Sequence, residues 1–355
     1  GRASCSCGRM KTPFGPVYDN ILEGIGKTPM VKVSALDTGP CELYLKLESS
    51  NPGGSIKDRI GVAMIEAAEE QGKLKPGGTI VEATAGNTGL ALALVAAQKG
   101  YKSIIVVPDK MAQEKIFHLK ALGADVRLTR SDVGKGHPEY YQDVAARLAE
   151  ETGAFYVNQF CNEQNPKAHE DMTGPEIYGQ LDGDVDAIIA GVGSGGTISG
   201  LSHFFKEKSP KTEIILADPE GSILTDYVNK GAPPNEVGSW LVEGIGEDFI
   251  PDIADLSYVK KAYDITDKES FEAARDLLKK EGILGGSSSG TILAAALKYC
   301  REQKEKKRVV AFVCDRGEKY LSKMFNDYWM YDQGFLKRPP KGDLTDLITR
   351  RHSEH

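Results

Sequence analysis

An α/β protein with two doubly wound domains and mostly parallel sheets is the fold this sequence predicts, and three observations predict it. Short apolar stretches alternate with helical patterns through most of the 355 residues, the order that yields parallel strands joined by helical crossovers. Several apolar stretches, such as SIIVVP and RVVAFVC, are unbroken runs, as expected where helices cover both faces of a sheet. Glycine-rich turns stand between strand and helix, the place where open α/β sheets bind ligands.

In chain order, the apolar runs predict strands over Glu42–Glu48, Thr79–Ala83, Ser103–Pro108, Asp125–Thr129, Phe155–Gln159, Asp186–Val192, Glu213–Pro219 and Arg308–Cys314. Helices fit between them over Ile56–Gly72, Thr88–Gly100, Gln113–Leu122, Glu139–Thr152, Gly196–Lys208, Lys268–Glu281 and Ser289–Gln303. The strands fall into sets before and after about Gln159, which predicts two sheets rather than one very wide one. Tyr227–Gly246 carries Pro, Gly and Asn without a period and reads as a long, functional loop. After Trp329 the chain turns polar, and KRPPKGD reads as a linker leading out of the core.

A net charge of −7 with mixed signs predicts no nucleic-acid partner. No apolar run approaches the ~20 residues of a membrane span, and the expected setting is cytoplasmic. Cys5, Cys7, Cys41, Cys161, Cys300 and Cys314 are too scattered for a disulfide framework. Cys5 and Cys7 lack the further ligands of a zinc site, so no metal is expected there, and residues 1–11 read as a disordered or expression-derived terminus.

Four strand-to-helix turns carry the chemistry. SNPGGSIKDRIG places Ser55 as helix N-cap, with Asp58 closing a capping pair. Lys57 then falls in the first turn, facing the positive end of the helix dipole. EATAGNTG, GVGSGGT and GILGGSSSG are the other three turns. GVGSGGT lets backbone N–H groups close around a phosphate at a helix N-terminus, and it lacks the Lys-Ser/Thr of a P-loop. It also satisfies G-x-G-x-x-G at Gly191, Gly193 and Gly196, with Asp218 following where a dinucleotide ribose needs an acid. A nicotinamide-dependent dehydrogenase is therefore a rival reading, although it gives Lys57 and the Thr84 and serine-rich turns no role. A smaller ligand, pyridoxal 5′-phosphate, uses all four: its phosphate in Gly193–Thr197, its aldehyde on Lys57, and a substrate carboxylate at TAGNT. The helix terminus then helps Lys57 by favouring the neutral, nucleophilic amine.

NPGGSIKDR, EATAGNTG, GVGSGGTISG and EGILGGSSSG resemble the signature loops of the fold-type II (tryptophan synthase β-like) pyridoxal-phosphate enzymes, in particular the cysteine synthase and cystathionine β-synthase group. The resemblance runs from about Thr28 to Leu336, with the motifs in order. It implies that Lys57 is the Schiff-base lysine and that Asn87 meets the ring hydroxyl. Gly193, Ser194, Gly195, Gly196 and Thr197 would hold the phosphate, and Ser288 the pyridine nitrogen. Thr84, Ala85, Gly86, Thr88 and Gln159 would hold the substrate carboxylate. A hydroxyl at Ser288, unlike a carboxylate, does not enforce ring protonation and so favours elimination at Cβ over transamination.

DPEGSIL, VEGIGEDFIP and NDYWM…GFL lie nearer the cystathionine β-synthase branch. This places Glu243, Gly244 and Gly246 at the substrate entrance, while Glu247 stands where animal members carry tyrosine. The resemblance thus implies a lyase running β-replacement on serine with homocysteine, with O-acetylserine and sulfide as the alternative pair. It implies a homodimer. No haem is expected, because the first histidine is His118 inside a predicted helix. The expected domains are residues 46–163, and residues 12–45 plus 164–335 with the phosphate loop. Residues 336–355 form a linker-like tail, with any regulatory module beyond it either absent or removed.

Overall fold

The computed structural model describes residues 14–341, so the Cys5/Cys7 segment and the tail past residue 341 lie outside the described residues. The strands are β1 (Met30–Lys32), β2 (Glu42–Leu47), β3 (Thr79–Ala83), β4 (Lys102–Pro108), β5 (Asp125–Thr129), β6 (Phe155–Tyr156), β7 (Ala187–Ala190), β8 (Glu213–Pro219), β9 (Lys261–Ile265) and β10 (Arg308–Val313). The helices are α1 (Lys57–Glu70), α2 (Asn87–Lys99), α3 (Gln113–Ala121), α4 (Tyr141–Thr152), α5 (Gln164–Ala168), α6 (Gly174–Gln180), α7 (Gly196–Lys208), α8 (Leu224–Lys230), α9 (Asp267–Glu281), α10 (Ser287–Glu302) and α11 (Asp327–Asp332). A π-helical turn over His169–Thr173 joins α5 to α6.

Among the described residues, one sheet has the order β5-β4-β3-β6 and is wholly parallel. The other, β1-β2-β10-β7-β8-β9, is parallel except for the antiparallel edge strand β1. Period-2 geometry explains why the strands are apolar on both sides. In β3, Ile80 packs with Ile60, Leu92 and Val95 of α1 and α2, while its neighbour Val81 packs with Ala145 and Ala149 of α4 on the other face. The large sheet buries Leu43, Leu45, Ile188, Ile189 and Val309 in a single core.

β2 does not stay with the strands that precede Gln159. Its residues Glu42–Leu47 pair with Arg308–Val313 of β10, inside the large sheet. β1, β9, α5, α6, α8 and α11 are additions to the elements read from sequence, and β6 is only two residues long. α8 occupies the start of the predicted Tyr227–Gly246 loop. Met330 is buried, and Phe335 and Leu336 pack with Trp240 and Phe271, so chain packing continues past Trp329 to Leu336 before the KRPPKGD segment begins.

The two sheets are locked together just behind Lys57. The Arg59 guanidinium, fully buried on α1, donates to Glu48 after β2 and to Glu176 of α6 at 2.7 Å, and Lys46 of β2 donates to Glu176 at 2.9 Å. Breaking one member would leave a buried charge without its counterpart, which typically costs about 3–5 kcal/mol. α1 is therefore fixed in rotation two residues from its functional end. Among the described residues no helix is long and apolar enough to cross a membrane.

Candidate active site

The carboxyl ends of β2, β3, β7 and β10 and the turns that follow them converge on one cavity of about 610 Å³. Lys57, Asn87, Ser288, the cradle Gly193–Thr197, the Thr84, Ala85, Gly86, Thr88 and Gln159 group, and Glu243, Gly244 and Gly246 all line it. Asp218, the acid of the dinucleotide reading, does not. Its carboxyl is fully buried and accepts from the Thr225 N–H and hydroxyl, both at 2.9 Å.

Lys57 is the first residue of α1. Its capping differs from the pair expected at Ser55 and Asp58. The Ser55 hydroxyl accepts from the Lys57 N–H at 3.1 Å, but Asp58 reaches back past Ser55 to the Gly53 N–H at 2.6 Å. The tight NPGG turn brings that donor nearer to the carboxylate, and Asp58 secures the loop rather than closing a box. The loop is also stitched to the end of β10, through Ile56 N–H to the Cys314 carbonyl at 2.9 Å and Arg316 N–H to the Gly54 carbonyl at 3.0 Å. Burial lowers the pKa of Lys57 below the ordinary lysine range, against the opposing pull of Cys314 and Glu247. Desolvation thus favours the neutral amine.

The cradle at the start of α7 is built for an anion. Gly195 has φ +91°, and a Cβ there would fall 2.5 Å from that of Ala254. A Cβ on Gly196 would fall 1.8 Å from Asn165 Oδ1. Asn165, fully buried on α5, donates from Nδ2 to the Gln159 carbonyl at 3.1 Å and to Ser194 Oγ at 2.8 Å. A carbonyl can only accept, so the amide orientation is fixed and the Ser194 hydroxyl proton remains free to donate. His169 lies beneath Thr197, with Nε2 at 3.3 Å from the threonine hydroxyl and Nδ1 at 2.8 Å from Thr173 Oγ1. Burial, reinforced by the charges of Arg59 and Lys57, depresses the pKa of His169 far below its usual value, so the ring is neutral.

On the other side of the cavity floor, Thr88 donates to Gln159 Oε1 at 2.7 Å, and the Gln159 N–H donates to buried Glu82 at 2.9 Å. Asn87 donates to Asp315 at 3.0 Å, leaving its Oδ1 buried without a partner. Tyr320 donates to the same Asp315 oxygen at 2.9 Å. Lys115, buried on α3, makes a 3.1 Å ion pair with Glu243. Ser288 is buried at the start of α10, its hydroxyl against the Cys314 thiol, which burial pushes up to about 12.

Asn165, His169, Lys115 and Asp315 were not singled out from the sequence. NEQNP and AHEDMT carry no glycine signature, and only the fold brings Asn165 and His169 beneath the cradle.

These residues fit pyridoxal phosphate. Burial lowers the pKa of the Lys57 amine, the close packing of Gly193, Gly195 and Gly196 against Gly244, Ala254 and Asn165 keeps side chains off the cradle backbone, and the buried Asn87 Oδ1 has no partner within the protein. Fold and site together define a doubly wound enzyme that sets a half-buried lysine and a glycine-rich cradle in one cavity. The chain belongs to the pyridoxal-phosphate dependent enzyme family, which it matches over residues 21–315.

It is 44% identical over 336 residues to a cystathionine beta-synthase of Apis mellifera, covering 94% of this chain and 66% of that protein. A cysteine synthase of Staphylococcus aureus is 43% identical, covering 86% of this chain and 96% of its own. The chain spans less than two thirds of the first of these relatives. Among solved structures, a hydrogen sulfide-producing enzyme from Fusobacterium nucleatum superposes with a TM-score of 0.78 at 38% identity, covering 86% of this chain and all of that one.

Proposed function

We propose that the chain catalyses β-replacement on L-serine, with L-homocysteine as the thiol, to give L-cystathionine and water. The observation that carries this reading is that Lys57 lines the same cavity as the Gly193–Thr197 cradle and the Thr84–Thr88 turn, with burial lowering its pKa. When bound, pyridoxal phosphate supplies an aldehyde for the substrate amine and a ring that accepts negative charge from Cα.

The chain's own residues do the rest. Ser194 and Thr197, set by Asn165 and His169, hold the phosphate. The Thr84–Thr88 turn and Gln159 receive the serine carboxylate and orient the Cα–H bond towards Lys57. Lys57 Nζ takes the Cα proton and passes it to the hydroxyl as the Cβ–O bond breaks, releasing water. The homocysteine sulfur bonds to Cβ, its thiol proton passes to Lys57, and Lys57 delivers that proton to Cα. Closure of the Thr84 turn over the substrate excludes water during this sequence. Ser288 offers the ring nitrogen a hydroxyl, which favours loss of the β-substituent. A homodimer accompanies this reading.

The named relatives support it, and the cysteine synthase at 43% identity supports the alternative pair, O-acetylserine with sulfide. Steady-state assays with each pair decide between them: higher kcat/KM for serine with homocysteine is expected, and preference for O-acetylserine with sulfide overturns the proposal. Lys57→Ala is expected to abolish turnover; undiminished turnover overturns the reading altogether.

A further inference from the structure

Glu247 lines the cavity that holds Lys57, yet among the described residues no hydrogen bond or ion pair reaches its carboxyl. The contrast with Glu243, four residues earlier and held by Lys115 at 3.1 Å, is direct. The backbone of Glu247 is firmly placed. Its N–H donates to Ser222 Oγ at 3.1 Å, and its carbonyl accepts from Ser222 Oγ at 3.2 Å and from the Ile223 N–H at 3.0 Å. A rigid backbone therefore presents an unpaired carboxyl to the cavity.

Its surroundings suit a cation. Tyr140 and Tyr141 line the same cavity, and both phenols feel the charge of Glu247. An ammonium beside aromatic rings and a half-buried carboxylate gains from both. Burial and the neighbouring Asp248 raise the pKa of Glu247 well above the carboxylate range, against the opposing charge of Lys57. A carboxyl in that condition is relieved by an arriving cation.

The donor cannot supply it. In the β-replacement reading, on which this step rests, the amine of serine is engaged by the cofactor. The second substrate is the one that enters with a free ammonium group. We infer that Glu247 binds the ammonium of the acceptor, and that the acceptor is consequently a thiol-bearing amino acid rather than sulfide or a simple thiol. Glu247 is thus a specificity determinant of this chain.

The test uses the cofactor-loaded chain. Calorimetry would compare cystathionine with S-(3-carboxypropyl)cysteine, which lacks only the ammonium of the homocysteine half. The wild type is expected to bind cystathionine more tightly, and Glu247→Gln and Glu247→Ala are each expected to lose roughly 10- to 100-fold for cystathionine and less than about twofold for the analogue. In assays, kcat/KM for homocysteine falls in parallel while that for 4-mercaptobutanoate or sulfide holds. Equal loss for both ligands, or loss for neither, overturns the assignment. Serine binding, read from the visible spectrum, separates the two levels of failure. A wild type that does not respond to serine overturns the β-replacement reading itself, whereas a normal serine response with equal ligand losses overturns the role of Glu247 alone.

Discussion

The turn that opens α7 and the turn that opens α2 line the same cavity but are built in opposite ways. The first is pinned from beneath by two buried side chains, Asn165 on Ser194 and His169 on Thr197, and is so close to its neighbours that added methyl groups would collide. The second is anchored at its ends, by Thr84 N–H to the Val106 carbonyl and by Asn87 to Asp315, while Ala85 at its tip is exposed. A group that remains through every turnover calls for a preorganised cradle. A group that enters and leaves in each cycle calls for a turn able to open and close. The difference is the one that the proposed roles call for, with the α7 turn holding the cofactor phosphate and the α2 turn the substrate.

Gly196→Ala is the most severe way to break the comparison. Its Cβ would sit 1.8 Å from Asn165 Oδ1, and overpacking of that kind typically costs about 1–3 kcal/mol or more. Cofactor retention, followed by the visible band after gel filtration, is expected to fall roughly 100-fold, with the far-UV spectrum preserved.

Asn165→Leu comes next. Loss of a buried donor to Ser194 is expected to weaken pyridoxal phosphate roughly 10- to 30-fold. Pyridoxal, which has no phosphate, would be weakened far less; equal losses would mean that Asn165 acts only through general stability.

Thr88→Val probes the other turn by removing the 2.7 Å bond to Gln159. KM for serine is expected to rise about tenfold with cofactor affinity unchanged, and a parallel fall in cofactor affinity would erase the proposed division of labour. Ala85→Ser, at the exposed tip, sharpens the contrast at its weakest point. Cofactor affinity is expected to stay within about twofold of wild type, as measured by titration of the cofactor-free protein.

Elements whose buried faces are written as continuous apolar runs could be read directly: β3, β4, β8 and β10 fall within a residue of their predicted limits. β9, with the sequence KAYDI, and the three-residue β1 lack such a run, and pairing with β8 and β2 defines them instead. The same division holds at the site. Lys57, the glycine cradle and the Thr84 turn, which the fold brings to one cavity, could be picked out because each proposed role calls for a particular residue beside a helix start. Asn165 and His169 act on partners 29 and 28 residues away, and that relation exists only after α5 and the π-helical turn dock under α7. The Ser55–Asp58 capping pair was legible as a pattern but misassigned, since a nearer donor at Gly53 competes for the carboxylate.

The pairing of β2 with β10 also fixes an order of assembly during synthesis. Glu42 and Arg308 bond across 266 residues, whereas every strand of the smaller sheet lies between Thr79 and Tyr156. As the polypeptide leaves the ribosome, the smaller sheet has all of its strands while β2 still waits for its neighbour, and such long-range closure is slow. Until β10 emerges, the edge of β2 that faces it presents backbone N–H and C=O groups without a strand partner.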